Sequence, residues 1–409
     1  MDLPQPIIEL CRAVANRGGR AWIVGGAVRD HLLGLDSEDH DVEVHKLEAD
    51  DLKRVLKSLG SVNEIGRSFG VFKAVIQGVP IDVSIPRHDS QSGTAHTDIV
   101  VIGNPFMGLE SAARRRDLTV NAIAYDPLTD EYRDYFGGIQ DLKRGRLQAV
   151  DPATFTEDPL RALRVVQFAA RFGFSVHDDL GALCRSMNLF DLPAERIWGE
   201  LEKLLMRAPI PSIGWGLMHS LGIVDKVLPD IASLPAAPIG AALDRAAAHR
   251  EAMNGSGRAI ALMVATMLHR ATPLQCEATL DRLSLFKMHG YPVRKRVMEA
   301  IGVLTRLSTA ADDPTLRELA DTTELHLACT VAHAASGSRI ALSNLDRADQ
   351  LGIALDPMPT LLSGADLRKH GIEQGPQFGR ILRRVRQAQI DGSVPTRDAA
   401  IIWLKDHLK

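Results

Sequence analysis

A chain of 409 residues with 45% hydrophobic and 24% charged side chains has the composition of a globular protein of two or three domains, able to bury more than one core. Its formal net charge of −3 excludes a general coat for polyanions and confines any nucleic-acid contact to a local basic face. The amino-terminal residues lack the basic-then-apolar pattern of an export signal, and the longest strongly apolar run, residues 259–268, is about half of a membrane span. A cytoplasmic protein without membrane contact is expected, of a size that leaves its oligomeric state open. Cys11, Cys184, Cys276 and Cys329 are scattered with no CxxC pair and no histidine at metal spacing, so reduced, mostly buried thiols are expected.

In chain order, residues 7–14 read as a helix and 21–24 as a strand, after which Gly25-Gly26 opens a short helix through Leu33. Residues 41–44 alternate as a strand does, and 49–59 follow as a helix. Two β-like runs, 71–77 and 79–85, are separated only by Gly78. From Thr156 onward the pattern is helical almost without interruption, divided at Ala208-Pro209-Ile210-Pro211 and Leu234-Pro235. The Ala-rich stretch 236–248 is helix-forming, and there is no internal repeat.

Two glycines between a strand and a helix let the backbone approach a phosphate, and the helix start adds unpaired N–H donors. A Gly-Gly turn by itself is more often only a turn. The Asp39-x-Asp41 pair says more, because residues two apart on a strand share one face and two neighbouring carboxylates repel unless a cation is present. Asp82, flanked by inward-facing Ile81 and Val83, would supply a third carboxylate to an oxygen-rich site for Mg²⁺. Without further context the pair is equally a solvated strand end.

The context is a series of ordered motifs: Gly25-Gly26-Ala27-Val28-Arg29-Asp30 with Leu32-Leu33-Gly34; Gly66-Arg67-Ser68-Phe69-Gly70; Asp82-Val83-Ser84 through Arg87; and Arg115-Arg116-Asp117-Leu118-Thr119-Val120-Asn121-Ala122. Asp134 with Gly137-Gly138, then Glu157-Asp158-Pro159-Leu160-Arg161 through Arg164, and finally Glu195-Arg196-Ile197 with Glu200 complete it. Over residues 20 to 231 this series resembles the class II tRNA nucleotidyltransferases, the CCA-adding enzymes and their bacterial poly(A) polymerase relatives.

The resemblance implies an α+β protein: a polymerase-beta-like nucleotidyltransferase head with a small mixed sheet (residues 1–150), a helical neck carrying the base-recognition helix (151–235), and a helical body and tail (236–409). It implies template-independent addition of C and A from CTP and ATP to the 3′ end of tRNA, with two Mg²⁺ ions held by Asp39, Asp41 and Asp82. Gly25, Gly26, Arg29, Arg115, Arg116, Asp117, Asn121, Asp158, Arg161 and Arg164 are its implied nucleotide-binding residues.

Each also has a physical reading. Arg116 and Asp117, with Asn121 one helical turn beyond, offer donors and an acceptor suited to phosphate and ribose hydroxyls. Asp158, Arg161 and Arg164, three apart on one long helix, share a face and could read an incoming base; alternatively Asp158 complements the helix dipole.

Departures from the family matter as well. Where many members carry adjacent His-Asp ligands of a metal phosphohydrolase, this chain has His269-Arg270, so no phosphatase or phosphodiesterase activity is expected. Residues 88–113, the counterpart of the family's nucleotide-switching loop, contain no Lys or Arg, which makes C addition a firmer expectation than A addition. CC-only, A-only and poly(A)-adding enzymes share the head and remain alternatives, as do a small-acceptor nucleotidyltransferase and a noncatalytic RNA-binding relative. Residues 363–409 hold nine Lys/Arg against five Asp/Glu, with Arg380, Arg383, Arg384 and Arg386 on one helix, which offers a basic face to an RNA backbone.

Overall fold

The structure, a computed structural model, describes residues 1–36, 40–64, 70–91 and 99–407. The chain packs as two compact units, residues 1–165 with 172–189, and residues 166–171 with 190–409.

The first unit opens with α1 (Gln5–Ala15), β1 (Arg20–Val24), α2 (Gly26–Leu32), β2 (Asp41–His45) and α3 (Ala49–Leu59). There follow β3 (Ser61–Glu64), β4 (Val71–Ile76), β5 (Val79–Ser84), and the separate antiparallel pair β6 (Arg87–Gln91) and β7 (Ile99–Gly103). Next come α4 (Leu109–Arg114), β8 (Ala124–Asp126), β9 (Glu131–Arg133), α5 (Gly138–Arg144), β10 (Arg146–Leu147) and α6 (Pro152–Phe155). Helix α7 (Leu160–Phe172), β11 (Ser175–Val176) and α8 (Asp178–Ser186) end this part of the chain. Seven strands form one mixed sheet in the order β3-β4-β5-β2-β1-β8-β9; β2 and β5 run parallel and the other neighbours antiparallel.

Hydrophobic alternation dictates this sheet. In β4, Phe72, Ala74 and Ile76 are buried while Lys73 and Val75 are exposed; in β5, Ile81 and Val83 are buried and Asp82 is not. The connection takes two residues rather than the single Gly78 expected: Gln77 and Gly78 both have positive φ, at 50° and 83°, and Ile76 pairs with Val79. A two-residue hairpin loop with two left-handed residues matches the twist of the strands, so Gln77 leaves the ladder. Helix α1 buries Ile7, Leu10, Cys11 and Val14, and α3 buries Leu52, Val55 and Leu56, where the two pack together. Ala21, Trp22, Ile23 and Val24 of β1 are all buried, as befits a strand covered on both faces.

The second unit is helical: α9 (Ala194–Arg207), α10 (Pro211–Ser220), α11 (Ile223–Val227), α12 (Ala236–Ala247), α13 (Ser256–Leu268), α14 (Pro273–Arg282) and α15 (Val293–Gly302) come first. Then follow α16 (Leu304–Leu307), α17 (Asp313–Ala320), α18 (Leu325–Ser336), α19 (Ile340–Gln350), α20 (Gly364–Lys369), α21 (Pro376–Ile390) and α22 (Arg397–His407). Residues 259–268 of α13 are buried on every side, since α9, α12, α15 and α18 surround the helix. The apolar run is thus a core helix, and no helix among the described residues is long and apolar enough to cross a membrane. The last three helices share a core of Leu362, Leu367, Val385, Val394, Ala400 and Leu404. All four cysteines are buried. An α+β head followed by helices is the architecture expected.

Candidate active site

Strands β2 and β5 run parallel with Asp41 opposite Asp82, and the Asp82 N–H donates to the His40 carbonyl at 3.1 Å. Partners in a parallel register point the same way, so both carboxylates leave one face while Val42 and Val83 fill the other. They line a cavity of about 370 Å³ together with Glu43, Ser84, Arg115 and Arg116. Lys73, opposite Asp82 on β4, brings its Nζ to 3.9 Å from Asp82 Oδ2. Asp39 lies outside the described residues, as do Gly66 to Phe69, and the strand expected to carry both Asp39 and Asp41 begins at Asp41.

Gly25 joins β1 to α2 with φ 72° and ψ −133°. A Cβ there would stand 3.1 Å from Arg116 Nη1 and 3.4 Å from Asp41 Oδ2, so the Gly25 turn borders Asp41 and the guanidinium at once. Arg115, alongside, donates through Nη1 to the Arg87 carbonyl.

Arg29, Asn121, Asp117 and Arg164 are joined in a different manner from the one their motifs suggest. Arg29 is buried; its Nη1 donates to Asn121 Oδ1 at 2.7 Å, its Nε to Asp30 Oδ1 at 2.8 Å, and its guanidinium lies 4.7 Å from the Phe172 ring centre. Asn121 Nδ2 donates to Asp117 Oδ1 at 3.0 Å, and Arg164 Nε to Asp117 Oδ2 at 2.7 Å. Burial pushes the Asp117 carboxyl up, but the Arg164 charge and the hydrogen bonds from Asn121, Arg164 and the Leu118 N–H outweigh it and hold it below the ordinary aspartate value. Asn121 is not one turn further along a helix from Asp117. Leu118 is extended and bridges to Ala149, and a 3₁₀ turn, Thr119–Asn121, then swings the amide back.

The base-reading trio is also rearranged. Asp158 precedes Pro159, which disfavours helical geometry at the residue before it, and α7 starts at Leu160. The Asp158 carboxylate accepts the Leu160 N–H at 3.1 Å, the dipole-complementing alternative. Arg161 donates to the Thr154 carbonyl at 2.6 Å and to the Arg115 carbonyl at 2.8 Å, while Arg164 turns to Asp117. The common helical face expected for Asp158, Arg161 and Arg164 is therefore absent: only the two arginines lie on α7.

Sequence reasoning missed Glu43 and His45. Glu43 follows Asp41 by two residues, the same spacing that aligns side chains along a strand, and this was the available signal. Its Oε1 accepts from His45 Nε2 at 2.9 Å, its Oε2 lies 3.5 Å from Arg116 Nη2, and His45 Nδ1 reaches the Met107 carbonyl at 2.9 Å. Burial pushes the Glu43 carboxyl up, yet the His45 hydrogen bond and the Arg116 charge prevail and keep it below the ordinary glutamate value. Asp134 caps α5, accepting from the N–H groups of Gly138 at 2.8 Å and Ile139 at 2.9 Å.

In the helical unit, His269 Nδ1 is held by the Thr266 carbonyl at 2.7 Å, and no group of three or more His, Cys, Asp or Glu able to hold a metal occurs among the described residues. Arg380, Arg383 and Arg384 of α21 are exposed, whereas Arg386 turns away to pair with Asp321. The Arg384 guanidinium sits 5.3 Å from the Trp403 ring centre, and Trp403 stacks on His407 at 4.1 Å.

Residues 21–148 match the family model of the poly A polymerase head domain, and residues 173–234 match that of a probable RNA- and SrmB-binding site of polymerase A. A multifunctional CCA protein of Pasteurella multocida (strain Pm70) is 36% identical over 226 residues, covering 54% of this chain and 51% of that protein. Another, of Xanthomonas campestris pv. campestris (strain B100), is 35% identical over 261 residues, 62% of this chain and 60% of its own. The chain thus matches between half and three-fifths of the length of these curated relatives. Among solved structures, the Thermotoga maritima CCA-adding enzyme complexed with tRNA superposes with a TM-score of 0.70 at 19% identity over 100% of this chain and 97% of that one. The Bacillus stearothermophilus CCA-adding enzyme in complex with CTP does so with a TM-score of 0.68 at 23% identity over 99% of each. At these identities the likeness is one of fold.

Proposed function

We propose that the chain belongs with the class II tRNA nucleotidyltransferases and bacterial poly(A) polymerases, whose head and RNA-binding models it matches, and that it adds C and A from CTP and ATP to the 3′ end of tRNA. The observation that carries the reading is the in-register pair Asp41 and Asp82 on parallel strands, opening into a cleft beside the Gly25 turn and Arg116.

The reaction forms a bond between the terminal 3′-oxygen and the α-phosphorus of the incoming nucleotide and breaks the bond from that phosphorus to the bridging oxygen, releasing pyrophosphate. Two carboxylates held side by side and facing a cleft fit a divalent cation, since they accept hydrogen bonds only and repel one another otherwise. Asp41 and Asp82, with Asp39, would hold Mg²⁺, which supplies charge neutralisation for the α-phosphoryl oxygens and acidifies the attacking hydroxyl. Arg116, close to Gly25, receives the triphosphate, where a guanidinium can bind two phosphate oxygens at once. Arg115 adds positive potential at the same cleft. The bonded series Asp30–Arg29–Asn121–Asp117–Arg164 ties α2 to α7, so Arg29, Asp117, Asn121 and Arg164 act by holding the nucleotide-facing turn in place.

Asp158 and Arg161 select the base once Arg161 leaves its two carbonyl partners. Cytosine and adenine each present an amine beside a ring-nitrogen acceptor, which a carboxylate and a guanidinium complement; uracil and guanine reverse the pattern. Residues 1–150 serve as head, 151–235 as neck and 236–409 as body and tail. The test is transfer of labelled CMP and AMP to tRNAs ending before A, before CA and before CCA. CC addition with CTP, and completion with ATP, is expected. Absence of transfer, or extension of any RNA with AMP alone, would overturn the reading.

A further inference from the structure

Arg116 stands between two acids that compete for it. On one side of its guanidinium lies Gly25, where a Cβ would stand 3.1 Å from Arg116 Nη1 and 3.4 Å from Asp41 Oδ2, so both groups border the same glycine. On the other side is Glu43, which takes the hydrogen bond. An arginine free to move would form a two-point pair with Asp41 and neutralise it. Glu43 is fixed by more than the pleat of β2: His45 Nε2 holds its Oε1 at 2.9 Å, and the ring is held in turn by the Met107 carbonyl on Nδ1. With 12% of its side chain exposed, the Glu43 carboxylate is little screened by water, and its attraction for the guanidinium is correspondingly stronger.

We infer that Glu43 is a positioning residue that holds Arg116 off Asp41, so that Asp41 is kept for a divalent cation and Arg116 for the triphosphate. The inference rests on the metal-site reading above and deepens it. Its substance is a division of labour: an acid in the lining of the cleft, by pairing with Arg116, sets which of two partners that arginine serves. His45 acts one step further out, as the group that stops Glu43 from following Arg116 into the cleft.

The prediction is read from binding of Mn²⁺ to the full chain, followed by the loss of the free ion's paramagnetic signal. Glu43→Gln is expected to weaken Mn²⁺ binding roughly tenfold, the scale on which groups behind metal ligands act. Arg116→Ala alone is expected not to weaken it. In the double variant most of the loss disappears, because there is no longer an arginine to occupy Asp41; the interaction between the two sites is the signature. A loss that persists undiminished in the Arg116→Ala background would mean that Glu43 acts on the cation by its own charge, and overturns the inference; so does the absence of any loss in Glu43→Gln. If Glu43→Gln does not fold, Glu43→Asp, which keeps the charge but withdraws it from Arg116, is expected to lose part of the affinity in the same Arg116-dependent manner. Nucleotide transfer by the wild-type chain is measured alongside. Failure of transfer with an intact, interacting pair counts against the proposed function alone, whereas an additive pair in an active enzyme counts against Glu43 alone.

Discussion

Arg164 and Asp117, 47 residues apart, meet at 2.7 Å, and the carboxylate they share with Asn121 and the Leu118 N–H is buried. Arg164→Ala withdraws a charged donor from it and is expected to lower stability by about 1.5–3 kcal/mol, read from urea unfolding. The Asp117 carboxyl is depressed in the folded chain, so its contribution is present above the unfolded value of about 3.9 and is lost as pH falls through the folded value. Unfolding curves taken downward from pH 6 should show a shallower decline in Asp117→Asn than in the wild type. Parallel declines would remove this pair from the account of acid stability.

Asp41→Ala and Asp82→Ala are expected to abolish transfer without loss of fold, as is Asp39→Ala. Both described carboxylates are exposed at the cleft and support no core. Loss of one should reduce kcat by about 10³-fold, or about 4 kcal/mol of transition-state stabilisation, with an unchanged or slightly raised Tm once their mutual repulsion is gone. Transfer near the wild-type rate by any well-folded variant would sink the assignment.

The helical unit should release no phosphate from 2′,3′-cyclic phosphates or phosphomonoesters with added Mg²⁺ or Ni²⁺. His269 spends one ring nitrogen on Thr266, and its neighbour is Arg270, a cation where a metal ligand would be required. Metal-dependent phosphate release by the purified chain would refute this.

Base choice is tested through Asp158 and Arg161. Each contact of this kind discriminates bases by about 1–3 kcal/mol, so Asp158→Ala/Arg161→Ala should narrow the preference for CTP and ATP over UTP and GTP by at least about tenfold in kcat/KM. Because Arg161 also bonds the Thr154 and Arg115 carbonyls, the single Arg161→Ala variant separates a loss of selectivity from a loss of local order, which a thermal melt reports. An unaltered preference in the folded double variant would rule out this helix start as the base reader.

In the tail, replacing Arg380, Arg383 and Arg384 with Gln removes three exposed charges and leaves the core around Leu367 and Val385 intact. The slope of log K for tRNA against log salt is expected to fall by about 2–3. An identical slope and affinity would make α21 an ordinary solvated helix.

Local periodicity made β4, β5 and α3 legible, and the placement of Asp82 between two buried residues follows from alternation alone. What stayed hidden depends on pairs distant in the chain. Arg29 meets Asn121 across 92 residues and His45 meets the Met107 carbonyl across 62, and no spacing rule reaches so far. Asp158 was misplaced for a local reason, the Pro159 that follows it. Helical spacing counted Asp158 as a helix residue, whereas it caps the first turn: its carbonyl accepts the Arg161 N–H and its carboxylate the Leu160 N–H.

The parallel pairing of β2 with β5 also has a consequence for how the chain reaches its folded form. Antiparallel neighbours can zip from a short turn, as β4 and β5 do from Gln77-Gly78, whereas Asp41 must wait until α3, β3 and β4 have been made before Asp82 exists to stand beside it. On a ribosome, the acidic cleft is therefore missing from every nascent chain that has not yet exposed residue 84. Closure of the sheet between β2 and β5 joins Asp41 to Asp82, a non-local pairing of the kind that slows folding. Two like charges oppose that closure. A divalent ion in the medium should then quicken refolding of the intact chain, and should leave unchanged that of a chain in which Asp41 is Asn.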